Sequence, residues 1–105
     1  MTDFPVNDTF GEDLVDTDLK TEHPRRFKVI LHNDDFTTME FVVFILNHVF
    51  LRSESEATAI MLQVHQNGVG IAGVYPLEVA RMKADKTNNL ARARQFPLLC
   101  TIEEE

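Results

Sequence analysis

The stretch Leu31–Val42, LHNDDFTTMEFV, decides how the chain is organised. Three consecutive polar residues, Asn33, Asp34 and Asp35, separate an apolar strand pattern from an apolar helix pattern. Small domains often carry their binding and catalytic groups on such loops, because the flanking elements hold the exposed side chains in place. Three adjacent acceptor groups require a partner that is cationic or rich in hydrogen-bond donors.

The segment before this loop predicts a β-strand. Within Arg26–His32, the apolar residues Phe27, Val29 and Leu31 recur at every second position, which is typical of a strand with one buried face. The loop residues then interrupt the strand, because Asn and Asp side chains tend to hydrogen-bond their own backbone.

Two capping boxes predict the starts of two helices. The first is TTME at 37–40, with Thr37 as the N-cap residue, and the second is SESE at 53–56. Apolar residues follow each box at helical spacing, and Gly68 supplies a C-terminal stop for the second helix. Because only about three residues join the two helices, we expect them to form an antiparallel hairpin.

The remainder predicts two further strands and a third helix. Val69–Tyr75 is short and apolar, Pro76 occupies the first position of a helix that reaches Ala93, and Leu98–Ile102 forms the last strand. The order β-α-α-β-α-β favours an α+β fold, in which a small three-stranded, mostly antiparallel sheet packs against three helices.

The 105 residues make one domain with an extension. Residues 1–24 carry seven acids and one base without a sustained apolar period, which predicts a flexible acidic N-terminal extension. Such a segment either only aids solubility or contacts a partner transiently. We expect residues 25–105 to form the folded core.

Composition excludes several classes of function. A net charge of −7 argues against non-specific nucleic-acid binding, and no apolar run approaches the roughly 18 residues of a membrane span. The N-terminus lacks the basic region followed by an apolar region that is typical of a secretory signal. The single cysteine, Cys100, fits a reducing cytosol, and we expect it to be buried and inert. We therefore expect a cytoplasmic protein.

Common catalytic and cofactor motifs are absent from the sequence. It contains no phosphate loop, CxxC, HExxH or GxSxG, and the NDD cluster lacks the further oxygen ligands of a calcium loop. These absences argue against the common nucleotide-binding and hydrolase mechanisms, and we predict no metal site and no cofactor. Met82 is expected to fill the core, whereas Met39 is the better candidate for the edge of a pocket.

His65 is expected to lie near the NDD loop, because in a helical hairpin the start of the first helix lies beside the end of the second. Asn33, Asp35 and His65 would then surround an apolar hollow. This arrangement suits a peptide α-ammonium group, which offers three donors, next to a bulky side chain. Two alternatives stay open: Asp35 and His65 act as an acid/base pair in a small enzyme, or the NDD turn only caps a helix in a structural interaction module.

Four segments in fixed order carry a family resemblance: FKVILHNDDFTTMEFV, MLQVHQNGVGIAGVY, EVARMK and FPLLCTIE. Over roughly residues 25–103 the chain resembles the ClpS family, adaptors of the bacterial Clp protease. The resemblance implies a non-enzymatic protein of the N-end rule, or N-degron, pathway. Such a protein binds substrates that begin with Leu, Phe, Trp or Tyr and delivers them to the ClpA unfoldase of the ClpAP protease.

The resemblance also implies roles for individual residues. The substrate α-amino group would be held by Asn33, Asp35 and His65, and Asp34 would lie beside the substrate backbone. The side-chain pocket would comprise Thr37, Met39, Val42, Met61, Val64 and Leu98. Met39 would exclude β-branched residues, and Glu78 and Lys83 would face the N-terminal domain of ClpA. The N-terminal extension is similar in kind to one that engages the unfoldase. Thr38 replaces a proline common in the family, which we expect to cost some rigidity in a first helical turn.

Overall fold

The computed structural model describes residues 24–105. Its elements are β1 (Phe27–His32), α1 (Met39–His48), α2 (Glu54–Asn67), β2 (Val69–Tyr75), α3 (Leu77–Ala93) and β3 (Leu99–Glu104). This order confirms the predicted β-α-α-β-α-β arrangement. The predicted extension, residues 1–24, lies outside the described residues except for Pro24.

The three strands form one sheet in the order β2-β1-β3. Both pairings are antiparallel, so the sheet is wholly rather than mostly antiparallel. Val29 and Leu31 of the central strand are fully buried, which confirms the face predicted from the alternation. Because β1 is hydrogen-bonded on both sides, the loop that follows it starts from the most firmly held strand of the sheet.

The core fills the space between the sheet and the helices. Helix α1 contributes Ile45 and Leu46, which are fully buried, and burial of each such side chain contributes about 1.5–3 kcal/mol. Helix α3 instead buries only small side chains, namely Ala80, Ala84, Thr87 and Ala91. Their size lets the α3 backbone lie close to the sheet, and it leaves Met82 on the outer face, 63% exposed. The expectation that Met82 fills the core is therefore wrong.

Helix α1 starts one residue later than the capping box predicts. Thr38, not Thr37, is the N-cap residue, and its Oγ1 accepts a hydrogen bond from the N–H of Phe41 at 3.1 Å. The Thr37 hydroxyl lies in the preceding loop, where it donates to Asp34 Oδ2 at 2.7 Å. Thr38 consequently precedes the first helical turn rather than lying in it.

Helix α2 has the ends that the sequence predicts. Ser53 and Glu56 form a reciprocal capping box, with hydrogen bonds of 3.1 and 3.2 Å between side chain and backbone. Gly68 ends the helix at φ = 89°, a left-handed conformation that glycine adopts without the steric cost of a side chain. These two ends fix the direction in which α2 approaches the loop after β1.

The last two elements differ from their predicted bounds by one or two residues. Pro76 is the N-cap of α3 rather than its first helical residue. Strand β3 begins at Leu99 and continues to Glu104, where an ion pair of 2.8 Å with Arg25 supports its end. Within residues 24–105, none of the helices has both the length and the apolar composition needed to cross a membrane.

Candidate functional site

The NDD loop is tied to the C-terminal end of α2. The N–H of Asn33 donates to the carbonyl oxygen of Gly68 at 2.9 Å, and His65 lies in the last turn of the same helix. This backbone bond brings the loop and His65 together, as the hairpin geometry predicted. It also depends on Gly68, whose left-handed conformation turns the chain from α2 into β2.

A cavity of about 230 Å³ opens between the loop and the α1–α2 hairpin. It is lined by Asn33, Asp34, Asp35, Thr37, Met39, Val42, Met61 and His65. The structure therefore brings together eight of the residues singled out from the sequence. Pockets for drug-sized ligands measure roughly 300–1,000 Å³, so this cavity suits one amino-acid side chain better than a large cofactor.

Three side chains at the cavity carry hydrogen-bond acceptor atoms. Asn33, Asp35 and His65 are exposed, and none of their side chains forms a hydrogen bond to another residue within 24–105. An amide oxygen, a carboxylate and an imidazole nitrogen can each accept a hydrogen bond. The rim of the cavity is thus suited to a group that carries several donors.

Asp34 has a different role, because its carboxylate is already occupied. Oδ1 accepts from the N–H groups of Phe36 and Thr37 at 2.8 and 2.7 Å, and Oδ2 accepts from the Thr37 hydroxyl at 2.7 Å. Burial acts to raise the pKa of Asp34, but these hydrogen bonds outweigh it and hold the pKa below its ordinary value. Asp34 therefore shapes the loop from within, and its implied place beside a substrate backbone stays a prediction.

The floor of the cavity is apolar. Met39 is 43% exposed, Val42 is buried and Met61 is half-buried. Flexible methionine side chains adapt to ligands of different shape. A bulky side chain entering the cavity would contact these three residues.

Two residues implied as pocket members lie deeper. Val64 and Leu98 are 2% and 5% exposed and do not line the cavity. Val64 packs against β2, where a Cβ on Gly70 would lie only 2.6 Å from its Cγ2. Because Gly70 has no side chain, helix and strand approach closely at this point. The pocket roles of Val64 and Leu98 stay predictions.

Glu78 and Lys83, the implied unfoldase-facing residues, lie on α3 away from the cavity. Glu78 is exposed. The Lys83 ammonium donates to the carbonyl oxygen of Val49 at 2.7 Å and lies 5.3 Å from the ring centroid of Tyr75. Lys83 thus has a structural role in holding the end of α1, and the interface role of both residues stays a prediction.

Burial raises the pKa of the Cys100 thiol to about 12, so the thiol stays protonated and is a poor nucleophile, as expected from the sequence. No hydrogen bond joins Asp35 to His65. Among residues 24–105, no group of three or more His, Cys, Asp or Glu side chains is placed to hold a metal ion.

The family of the chain follows from its sequence and its fold. A family model described as "ATP-dependent Clp protease adaptor protein ClpS" matches residues 22–101, so the chain belongs to the ClpS family. ClpS proteins are adaptors rather than enzymes, which excludes the acid/base enzyme considered from the sequence. As a Clp protease adaptor, the chain acts in protein degradation with a Clp unfoldase as partner.

Individual relatives agree with this assignment. The ClpS adaptor of Desulfatibacillum aliphaticivorans is 54% identical over 99 residues, covering 94% of this chain and 95% of that protein. The ClpS adaptor of Hyphomonas neptunium is 51% identical over 100 residues, covering 94% and 85%. The structure of Agrobacterium tumefaciens ClpS2 bound to L-phenylalaninamide superposes with a TM-score of 0.76 at 36% identity, covering 79% of this chain and 100% of that one.

Proposed function

We propose that the cavity binds the free N-terminus of proteins that begin with Leu, Phe, Trp or Tyr, and that the adaptor delivers these proteins to the ClpA unfoldase of the ClpAP protease. The observation that carries the proposal is one cavity in which an apolar floor adjoins three acceptor side chains that form no hydrogen bond to another residue within 24–105. The ligand of Agrobacterium tumefaciens ClpS2, L-phenylalaninamide, supports it, since this molecule is a single residue with a free α-amine.

Recognition of the α-ammonium rests on Asn33, Asp35 and His65. An ammonium has three donors and no acceptor, so each donor can be matched by one of these side chains. Hydrogen bonds that involve a charged group contribute about 1.5–3 kcal/mol each. Asp35 supplies the negative charge, because the Asp34 carboxylate is engaged within the loop.

Selection of the side chain rests on the apolar floor of Met39, Val42 and Met61. Burying a Leu or Phe side chain there contributes about 1.5–3 kcal/mol, whereas a polar residue would lose hydrogen bonds to water. The adaptor thus recognises both the α-amine and the side chain of the first residue, and neither group alone should suffice for tight binding.

Delivery requires a second surface, for which α3 is the candidate. Glu78 and Lys83 lie on this helix, outside the cavity, so the ClpA N-terminal domain can bind them while a substrate occupies the cavity. The N-terminal extension, residues 1–24, would engage the unfoldase during transfer, and the complex would act in the cytoplasm. Glu78→Ala should therefore slow degradation of a Phe-initiated substrate by ClpAP while leaving peptide affinity unchanged.

The decisive experiment compares a labelled peptide that begins with Phe with the same peptide carrying an N-acetyl group. Acetylation removes the positive charge and two of the three donors, so binding measured by fluorescence anisotropy should almost vanish. A peptide beginning with Ser controls for contacts of the remaining residues. Equal binding of the free and acetylated peptides would refute the proposal.

A further inference from the structure

A second cavity of about 350 Å³ adjoins the first. It is lined by Met39, Glu40, Val43, Glu54 and Met61. Met39 and Met61 also line the first cavity, so the two hollows share a wall of methionine side chains. A ligand bound in the first cavity can therefore reach the second without leaving the protein surface.

The second cavity combines apolar walls with two carboxylates. Glu40 and Glu54 lie in the first turns of α1 and α2, and both are exposed. Within residues 24–105 neither forms an ion pair, and the one hydrogen bond to Glu54 Oε1 comes from the amide of Asn47 at 3.4 Å. No Lys or Arg is among the described residues that line the cavity.

This combination fits a particular kind of side chain. Lys and Arg lay an aliphatic stem along apolar surface while their charged heads stay near water or a carboxylate. Met39, Val43 and Met61 offer such a surface, and Glu40 and Glu54 offer the counter-charge at the end of it. A purely apolar ligand would leave both carboxylates unmatched, and an acidic one would be repelled.

Building on the proposed function, we infer that the second cavity binds the side chain of the substrate's third residue and favours Lys or Arg there. In an extended peptide, side chains two residues apart point to the same side and lie about 7 Å apart. With the first side chain in the first cavity, the third is the next one directed at the same protein face. The second side chain points away from it.

Peptide binding tests this inference by fluorescence anisotropy. Peptides beginning Phe-Ala-Lys, Phe-Ala-Ala and Phe-Ala-Glu are compared with one beginning Phe-Lys-Ala. We expect Phe-Ala-Lys to bind about fivefold more tightly than Phe-Ala-Ala, because exposed ion pairs each contribute modestly. The advantage should shrink in high salt, since screening weakens interactions between exposed charges. Phe-Ala-Glu should bind most weakly.

A double variant, Glu40→Gln with Glu54→Gln, should bring the affinity of Phe-Ala-Lys down to that of Phe-Ala-Ala, while the affinity for Phe-Ala-Ala is unchanged. Glu103→Gln, which removes a carboxylate on β3 outside both cavities, is the matched control and should keep the preference. Thermal unfolding of each variant checks that the fold is intact.

Three outcomes would overturn the inference: equal affinity for the three peptides, a preference that survives in the double variant, or a preference for Lys at the second position only. These outcomes are distinct from failure of the proposed function. If acetylated and free Phe-Ala-Ala bind equally, N-terminal recognition itself fails. If only the free peptide binds but Lys at the third position has no effect, N-terminal recognition stands and the second cavity has no such role.

Discussion

The Asp34 carboxylate accepts hydrogen bonds from both the N–H and the hydroxyl of Thr37, each 2.7 Å long. With a third bond from the N–H of Phe36, the side chain closes the turn between β1 and α1. Asn33 and Asp35, on either side of it, both line the first cavity. All three residues of the NDD triplet line this cavity, but the carboxylate of the middle one is bonded to the backbone and side chain of its own loop.

Replacing Asp34 with Ala should destabilise the fold by about 1–2 kcal/mol, because three hydrogen bonds to a half-exposed carboxylate are lost. The effect should depend on pH. The pKa of Asp34 is lower in the folded than in the unfolded protein, where it is close to 3.8, so its stabilisation is fully present above that value and is lost as the pH falls through the folded pKa.

The measurement is urea unfolding of the wild-type protein and Asp34→Ala across the acid range. The difference in unfolding free energy should be constant from about pH 7 to 5 and should shrink below about pH 4. A difference that stays the same at the lowest pH at which the protein folds would contradict a charge-based role for Asp34.

Thr38→Ala should lower the unfolding free energy by about 1 kcal/mol, because the N-cap bond to the Phe41 N–H is lost. Thr38→Pro should cost less. The backbone φ of −75° already suits proline, and the ring restricts the unfolded chain, which offsets part of the lost cap. Urea unfolding compares the two variants directly. A proline variant less stable than the alanine variant would show that the preceding loop does not tolerate the ring.

Asp35→Asn should weaken binding of a Phe-initiated peptide by about tenfold, corresponding to about 1.4 kcal/mol, because the variant keeps the shape but removes the charge opposite the α-ammonium. Asp85→Asn, on the exposed face of α3, removes the same charge elsewhere and is the control. Fluorescence anisotropy gives both affinities. Equal losses in the two variants would mean that net charge, rather than a specific contact, controls binding.

Met39→Ala should admit peptides that begin with Val or Ile, since removing the side chain at the cavity edge makes room next to the peptide Cβ. Affinity for a Phe-initiated peptide should change less. Met82→Ala, which shortens an exposed methionine on α3, is the matched control. If the Met39 variant still rejects Val and Ile as the wild-type protein does, another residue sets this selectivity.

The helices and strands could be predicted from local patterns, since alternation at Phe27, Val29 and Leu31 and the capping box at Ser53 each reflect short-range physics. The start of α1 could not be predicted in this way, because Thr37 and Thr38 are both suitable N-cap residues. Only the fold shows that the Thr37 hydroxyl donates to Asp34 and that Thr38 caps the helix. Met82 was misplaced because α3 buries alanines and a threonine rather than its larger residues.

The first cavity was predictable in part. Hairpin geometry alone placed His65 beside Asn33 and Asp35, and the structure confirms that all three line one cavity. The second cavity could not be predicted from local sequence patterns. Glu40 and Glu54 are separated by a helix and a loop, and they line the same cavity only once the hairpin has formed. The hydrogen bond from Lys83 to the Val49 carbonyl oxygen could not be predicted either, because it joins residues 34 positions apart.

The side chain of Asn88 on α3 donates to the carbonyl oxygen of Cys100 at 3.0 Å and accepts from its N–H at 2.9 Å. Strand β3 lies at the border of the sheet, where unpaired backbone groups would invite the strand of another molecule. Asn88 fills that opening as a neighbouring strand would. The border of the sheet is therefore closed at this position, and a strand of another molecule cannot extend the sheet at Cys100 without displacing the Asn88 side chain.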